Sequence, residues 1–155
     1  MRDAVGPDMT LSYDPWGTYR TYEDAVRVGR ALERLDFYWY EHPMSEYRVA
    51  AYEKLTRELD IPILAPEIAA GSVYTRADWI RREASDMSRI DVLRGGITGV
   101  RKLTGVCEAY GVRCEIHMSG FANLQILGAT SEDTSQYYER GLLAPGVDYE
   151  TPPPY

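Results

Sequence analysis

Six side chains able to do chemistry recur along this chain at nearly constant intervals: Asp14, Glu41, Glu67, Asp91, His117 and Glu139, separated by 27, 26, 24, 26 and 22 residues. Asp14, Glu41 and Glu67 form the first group. Three carboxylates brought into one cavity would repel one another unless a cation neutralised them. An all-oxygen donor set on a rigid scaffold suits Mg²⁺, which keeps open positions for water or substrate. His117 and Asp91 form the second group, because a carboxylate beside an imidazole can fix its tautomer and raise its basicity. Glu139 could exchange hydrogen bonds with a ligand opposite the metal, or could pair with Arg140. Any one of these acids alone reads more simply as a helix cap or a solvated loop residue. Three in register at equal spacing favour the shared site.

The elements that must position them follow from the pattern. Strand-like runs cover 10–14, 37–41, 62–67, 89–93, 112–117 and 136–139. Between them lie amphipathic helical runs. Thr21 with Asp24 makes an N-cap for the first, which carries Ala25, Val28, Leu32 and Leu35. Further helices are expected from near Ser45, Thr75 and Thr98, and from Asn123 to Gly128. Arg2 to Pro7 reads as the end of a helix. Strand followed by helix, repeated, implies parallel strands joined by right-handed crossovers. Each polar residue falls at or near a strand's C-terminal end. An open sheet would spread six such ends along a line, whereas a barrel gathers them into a ring at the face where (β/α)₈ enzymes keep their sites. The expected fold is therefore α/β, a partial TIM-type (β/α) barrel of about six βα units over 1–143, followed by an irregular Pro- and Tyr-rich tail over 144–155. Eight units need about 250 residues, so the first barrel strands are expected to lie outside these 155 residues.

Other residues carry less. His42, next to Glu41, is expected by pleat alternation to point away from the metal side. Gly95-Gly96 allows close helix approach or a phosphate nest, and the acidic ring argues against phosphate. Cys107 and Cys114 have no metal or redox spacing, look like small buried apolar residues and suit a reducing, cytoplasmic setting. The composition, 45% apolar and 26% charged, supports a globular core. A formal charge of −7 argues against capture of nucleic acid or an anionic membrane surface. No apolar run approaches the roughly 20 residues of a spanning helix.

The ordered set Tyr13-Asp14, Tyr40-Glu41-His42-Pro43, Ala65-Pro66-Glu67, Ile90-Asp91 through Gly99, and Glu115-Ile116-His117 resembles the enolase superfamily, and within it the mandelate racemase subgroup and its acid-sugar dehydratase relatives. The resemblance implies that Asp14, Glu41 and Glu67 hold Mg²⁺. It also implies that a His117–Asp91 dyad moves the proton α to a carboxylate through a metal-stabilised enediolate, and that Glu139 assists at the substrate carboxylate. A muconate-lactonising relative would carry lysine where this chain has Asp91. The family's Lys-containing strand and its N-terminal capping domain have no counterpart here, since Lys54 and Lys102 fall in helices. The turn from Asp91 to Gly95 is one residue shorter than in the racemase. Implied for the full-length parent are dehydration of a sugar acid, or alternatively racemisation or epimerisation of a 2-hydroxy acid, and a homo-oligomeric assembly. The 155 residues alone are expected to be a truncated, inactive barrel fragment.

Overall fold

The computed structural model describes residues 2–118 and 120–140. Along the chain run α1 (Arg2–Val5), β1 (Ser12–Tyr13), α2 (Tyr22–Arg34), β2 (Trp39–Glu41), α3 (Val49–Glu58), β3 (Ile63–Leu64), α4 (Ser72–Arg81), β4 (Met87–Ile90), α5 (Val92–Tyr110), β5 (Arg113–Ile116) and α6 (Phe121–Gly128). The strands make one parallel sheet in the order β1-β2-β3-β4-β5. Every strand lies beside its sequence neighbour, so the sheet has no reversal of order, the feature that marks the doubly wound alternative.

Pleat alternation divides the two faces. Tyr40, Ile63 and Ala65 pack against the helices with Ala25, Leu32, Tyr52, Leu55, Leu59 and Trp79. Ile90, Cys114 and Ile116 do the same with Ile80, Val100, Leu103, Cys107 and Ile126. Trp39, Leu64 and Met87 form a separate small cluster on the opposite face. That second face carries Glu41, Arg89 and Glu115, two residues further along their strands. Mainly apolar layers therefore fill the helix side and the base, where Arg113, in register with Met87, is the charged exception and donates to Tyr38 and Gln136, and the acidic groups gather at the other end. Both cysteines are buried and unbridged.

Several boundaries differ from the sequence-based expectation. The fourth strand ends at Ile90 instead of running to 93, because Asp91 turns out to be the N-cap of α5, its Oδ1 accepting from Leu93 N at 2.9 Å. Asp91 thus caps a first helical turn from Val92 that the sequence reading did not expect. Gly96, whose φ of 65° and ψ of 168° are non-helical, separates it from the helical run expected from Thr98; the two together make up α5. Helix α3 begins at Val49, not near Ser45, and α4 at Ser72, not Thr75. The sixth run contributes only a single bridge, Ile116 with Tyr138. The Glu115 carboxylate takes the backbone N–H groups of Gln136 and Tyr137 that a longer ladder would use. The 144–155 tail and the 143 boundary lie outside the described residues. No described helix is long and apolar enough to cross a membrane.

Candidate active site

Asp14, Glu41 and Glu67 converge as their spacing implied. One oxygen from each lies within 4.8 Å of the others, a gathering of acids that none of the remaining described residues repeats. Asp14 follows β1 and is exposed, its Oδ1 accepting from Trp16 N at 2.7 Å. Glu41 closes β2 and Glu67 follows β3, both buried. Glu41 accepts a bidentate pair from Arg89, Nε to Oε1 at 2.5 Å and Nη2 to Oε2 at 2.6 Å. Each carboxylate oxygen keeps a second lone pair for another partner.

His117 and Asp91 meet as well, Nδ1 to Oδ2 at 3.1 Å. The other ring nitrogen, Nε2, lies 3.3 Å from Glu67 Oε1 and 3.8 Å from Glu139 Oε2. Glu139 pairs with Arg89, at 3.2 Å, where a surface arginine such as Arg140 was the expected alternative. Six residues from six sequence segments thus meet at one end of the sheet.

His42 does not point away from this group. Its ring is buried and its Nδ1 lies 3.0 Å from Glu67 Oε2. The reason is a backbone torsion: His42 has a φ of 40°, which breaks the alternation of the strand it follows. Gly17 lets the loop after β1 close over the ring. Gly17 N donates to the His42 carbonyl at 2.6 Å, and a Cβ at Gly17, whose φ is 72°, would sit 3.0 Å from His42 Nε2.

The sequence reading missed four supporting residues. Arg89 joins Glu41 to Glu139. Glu46, buried in the loop before α3, accepts the backbone N–H of Glu67 and, at 2.6 Å, that of Ala69. Arg76 of α4, also buried, donates to the carbonyls of Glu67 at 2.7 Å and Arg89 at 3.0 Å. Asn123 of α6 touches both members of the dyad. Arg89 carried a legible signal, a charge two residues before Asp91 on the same strand face. The others had none, since each bonds mainly to backbone of a distant segment.

The charges are mutually adjusted. Although Asp14 as a residue is exposed, partial loss of water around its carboxyl pushes it up, the Trp16 N–H opposing and the charge on Glu67 adding to it. Burial likewise pushes Glu41 up to about 7 against the pull of Arg89. Burial would raise Glu67 too, but hydrogen bonds from the His117 and His42 rings hold it far below the ordinary carboxylate range. His117 is raised by its bond to Glu67, with burial opposing and Glu139 assisting. For His42, burial works downward, and the bond to Glu67 with the charge on Glu46 outweighs it.

The Enolase C-terminal domain-like family model matches residues 1–154. The chain belongs to that family. Arabinonate dehydratase of Saccharolobus solfataricus is 31% identical over 123 residues, which are 77% of this chain and 32% of that protein. Among solved structures, D-glucarate dehydratase from Agrobacterium tumefaciens, complexed with magnesium, superposes with a TM-score of 0.88 at 43% identity, covering 96% of this chain and 38% of that one. L-talarate dehydratase from Polaromonas sp. JS666, complexed with Mg and L-glucarate, gives 0.79 at 26% identity, covering 90% and 37%. The chain therefore spans about a third of the length of these enolase-type relatives.

Proposed function

We propose that this chain supplies the metal-binding and proton-abstracting part of a Mg²⁺-dependent sugar-acid dehydratase, the sheet being an arc of a (β/α) barrel. The convergence of three carboxylates beside a His–Asp dyad carries the reading. Asp14, Glu41 and Glu67 would hold the ion. Their donor set is all oxygen and close-grouped, which fits a hard cation, and none of the three contributes a nitrogen or sulfur donor. When bound, Mg²⁺ supplies positive charge against the carboxylate whose α-proton is removed. His117 takes that proton at Nε2, with Asp91 orienting the ring from Nδ1. Loss of the β-hydroxyl then needs a proton, and the imidazolium just formed can return one, so that water leaves. Glu139, partly exposed and paired with Arg89, would assist at the substrate carboxylate. The relatives named for arabinonate, glucarate and talarate support a polyhydroxy acid as substrate class.

The test uses the full-length protein that carries this chain. Mg²⁺ titration calorimetry should show saturable binding that Glu67→Gln abolishes. Exchange of the α-proton of D-glucarate in D₂O should vanish in His117→Asn while Mg²⁺ binding persists. Loss of metal affinity in His117→Asn would overturn its assigned role. Product that keeps every hydroxyl and inverts at the α-carbon would replace dehydration by epimerisation.

A further inference from the structure

Asn123 sits near the start of α6 and is fully buried. Burying an amide is costly unless its groups are satisfied, and here they are satisfied by the dyad and the element that carries it. Nδ2 donates to Asp91 Oδ1 at 3.0 Å and to the His117 carbonyl at 2.8 Å, while Oδ1 accepts from Val92 N at 3.0 Å. One side chain thus joins the end of β5, the first turn of α5 and α6. Helix α6 does not itself need it as a cap, since its N-cap is Gly120 and the turn is closed by backbone bonds.

We propose that Asn123 is a positioning residue for the acid/base step, fixing the tautomer of His117 through Asp91. The inference rests on the reading of the site given above. Asp91 Oδ1 receives two N–H groups, from Leu93 and from Asn123, which lock the rotation of the carboxylate. Oδ2 is thereby turned to His117 Nδ1. Carboxylates flank both ring nitrogens, and an ionised carboxylate only accepts. The single proton of the neutral imidazole therefore goes to the better-held partner: Asp91, locked in rotation and 3.1 Å from Nδ1, over Glu67, 3.3 Å from Nε2, which leaves the lone pair on Nε2. Nε2 is the atom that faces Glu67 and Glu139. The backbone of His117 is pinned on both sides, its N–H by the Ile90 carbonyl at 3.0 Å and its carbonyl by Asn123. Without Asn123 the carboxylate could rotate and the ring could follow.

The experiment is ¹⁵N–¹H correlation of the His117 ring nitrogens in the full-length protein, at alkaline pH where the ring is neutral, with and without saturating Mg²⁺. His117→Asn assigns the signals. The wild type should show the proton on Nδ1. Asn123→Asp keeps the shape and an acceptor for Val92 N–H but removes both donors, and Asn123→Ala removes the amide altogether. Both should lose the single-tautomer signature. On D-glucarate, kcat should fall about 10–100-fold, the range for loss of an outer partner of a site, with KM and the Mg²⁺ Kd unchanged. A wild-type ring protonated on Nε2 overturns the inference without any variant. So does a folded Asn123 variant that keeps the ring signature and kcat and loses only thermal stability. If wild type fails to bind Mg²⁺ or to exchange the α-proton, the proposed function fails, and the metal-free ring spectrum still decides the tautomer.

Discussion

Arg89 and Glu41 show how far one pair of side chains can govern a site. Both are buried, and the two-pronged contact between them satisfies charges that would otherwise be stranded away from water. Removing one partner of such a pair typically costs about 3–5 kcal/mol, because the survivor is left uncompensated. Arg89→Met should destabilise the protein by about that amount, measured by denaturant unfolding, and adding Glu41→Gln should recover part of the loss. Equal stability of Arg89→Met and wild type would mean that Glu41 takes up a proton and that the pair contributes little. The His42–Glu67 contact works at the same scale: one positive φ carries an imidazole across to a carboxylate in the loop after the neighbouring strand.

Helices α2 and α5 carry element-level devices of opposite kind. In α5, Gly96 adopts a conformation that is essentially restricted to glycine and costs other residues about 1–3 kcal/mol. A Cβ there would meet nothing within 4 Å, so the penalty is torsional. Gly96→Ala should therefore lower stability by that amount. Gly105→Ala, later in the same helix and equally unhindered, should raise it by about 0.4–1 kcal/mol. Thermal unfolding of the two variants should give shifts of opposite sign, and a Gly96→Ala variant as stable as the wild type would rule the bend out. In α2, Glu33 reaches out of its helix to accept from Asp60 N at 2.6 Å and Ile61 N at 3.3 Å, ahead of β3. Burial would raise its pKa, but these bonds and the Arg30 contact lower it below the ordinary 4.5. A group lowered on folding stabilises the folded state above its unfolded pKa. That stabilisation is fully present above pH 4.5 and is lost as pH falls through the depressed native value. Glu33→Gln should flatten the acid limb of the stability–pH curve in that window.

At the scale of the whole molecule, the three acids come from three strands, and the segment from Asp14 to Glu67 must be folded before they can meet. An unfolded chain offers no such site, so Mg²⁺ should bind the native state alone. At 100 times its Kd the ion should then stabilise by about 2.7 kcal/mol. Differential scanning calorimetry should show a rise in Tm with Mg²⁺ that disappears in Glu67→Gln. A Tm indifferent to Mg²⁺ in the wild type would remove the metal from the account.

The cluster of polar residues was legible in the sequence because strand periodicity and the length of one βα unit are local quantities. Asp14, Glu41, Glu67, Asp91, His117 and Glu139 could be placed at strand ends by counting, and the ordered motifs pointed to the family that the match over residues 1–154 identifies. Tertiary structure alone decided which atoms face one another. Arg89 finds Glu41 across 48 residues through two strand pairings, and Arg76 and Glu46 hold the Glu67 loop through its backbone. A single torsion reverses the direction expected of His42. Asn123 reaches the dyad only because α6 packs where it does. Such contacts depend on strand register, helix packing and backbone torsions, which emerge only when distant segments come together.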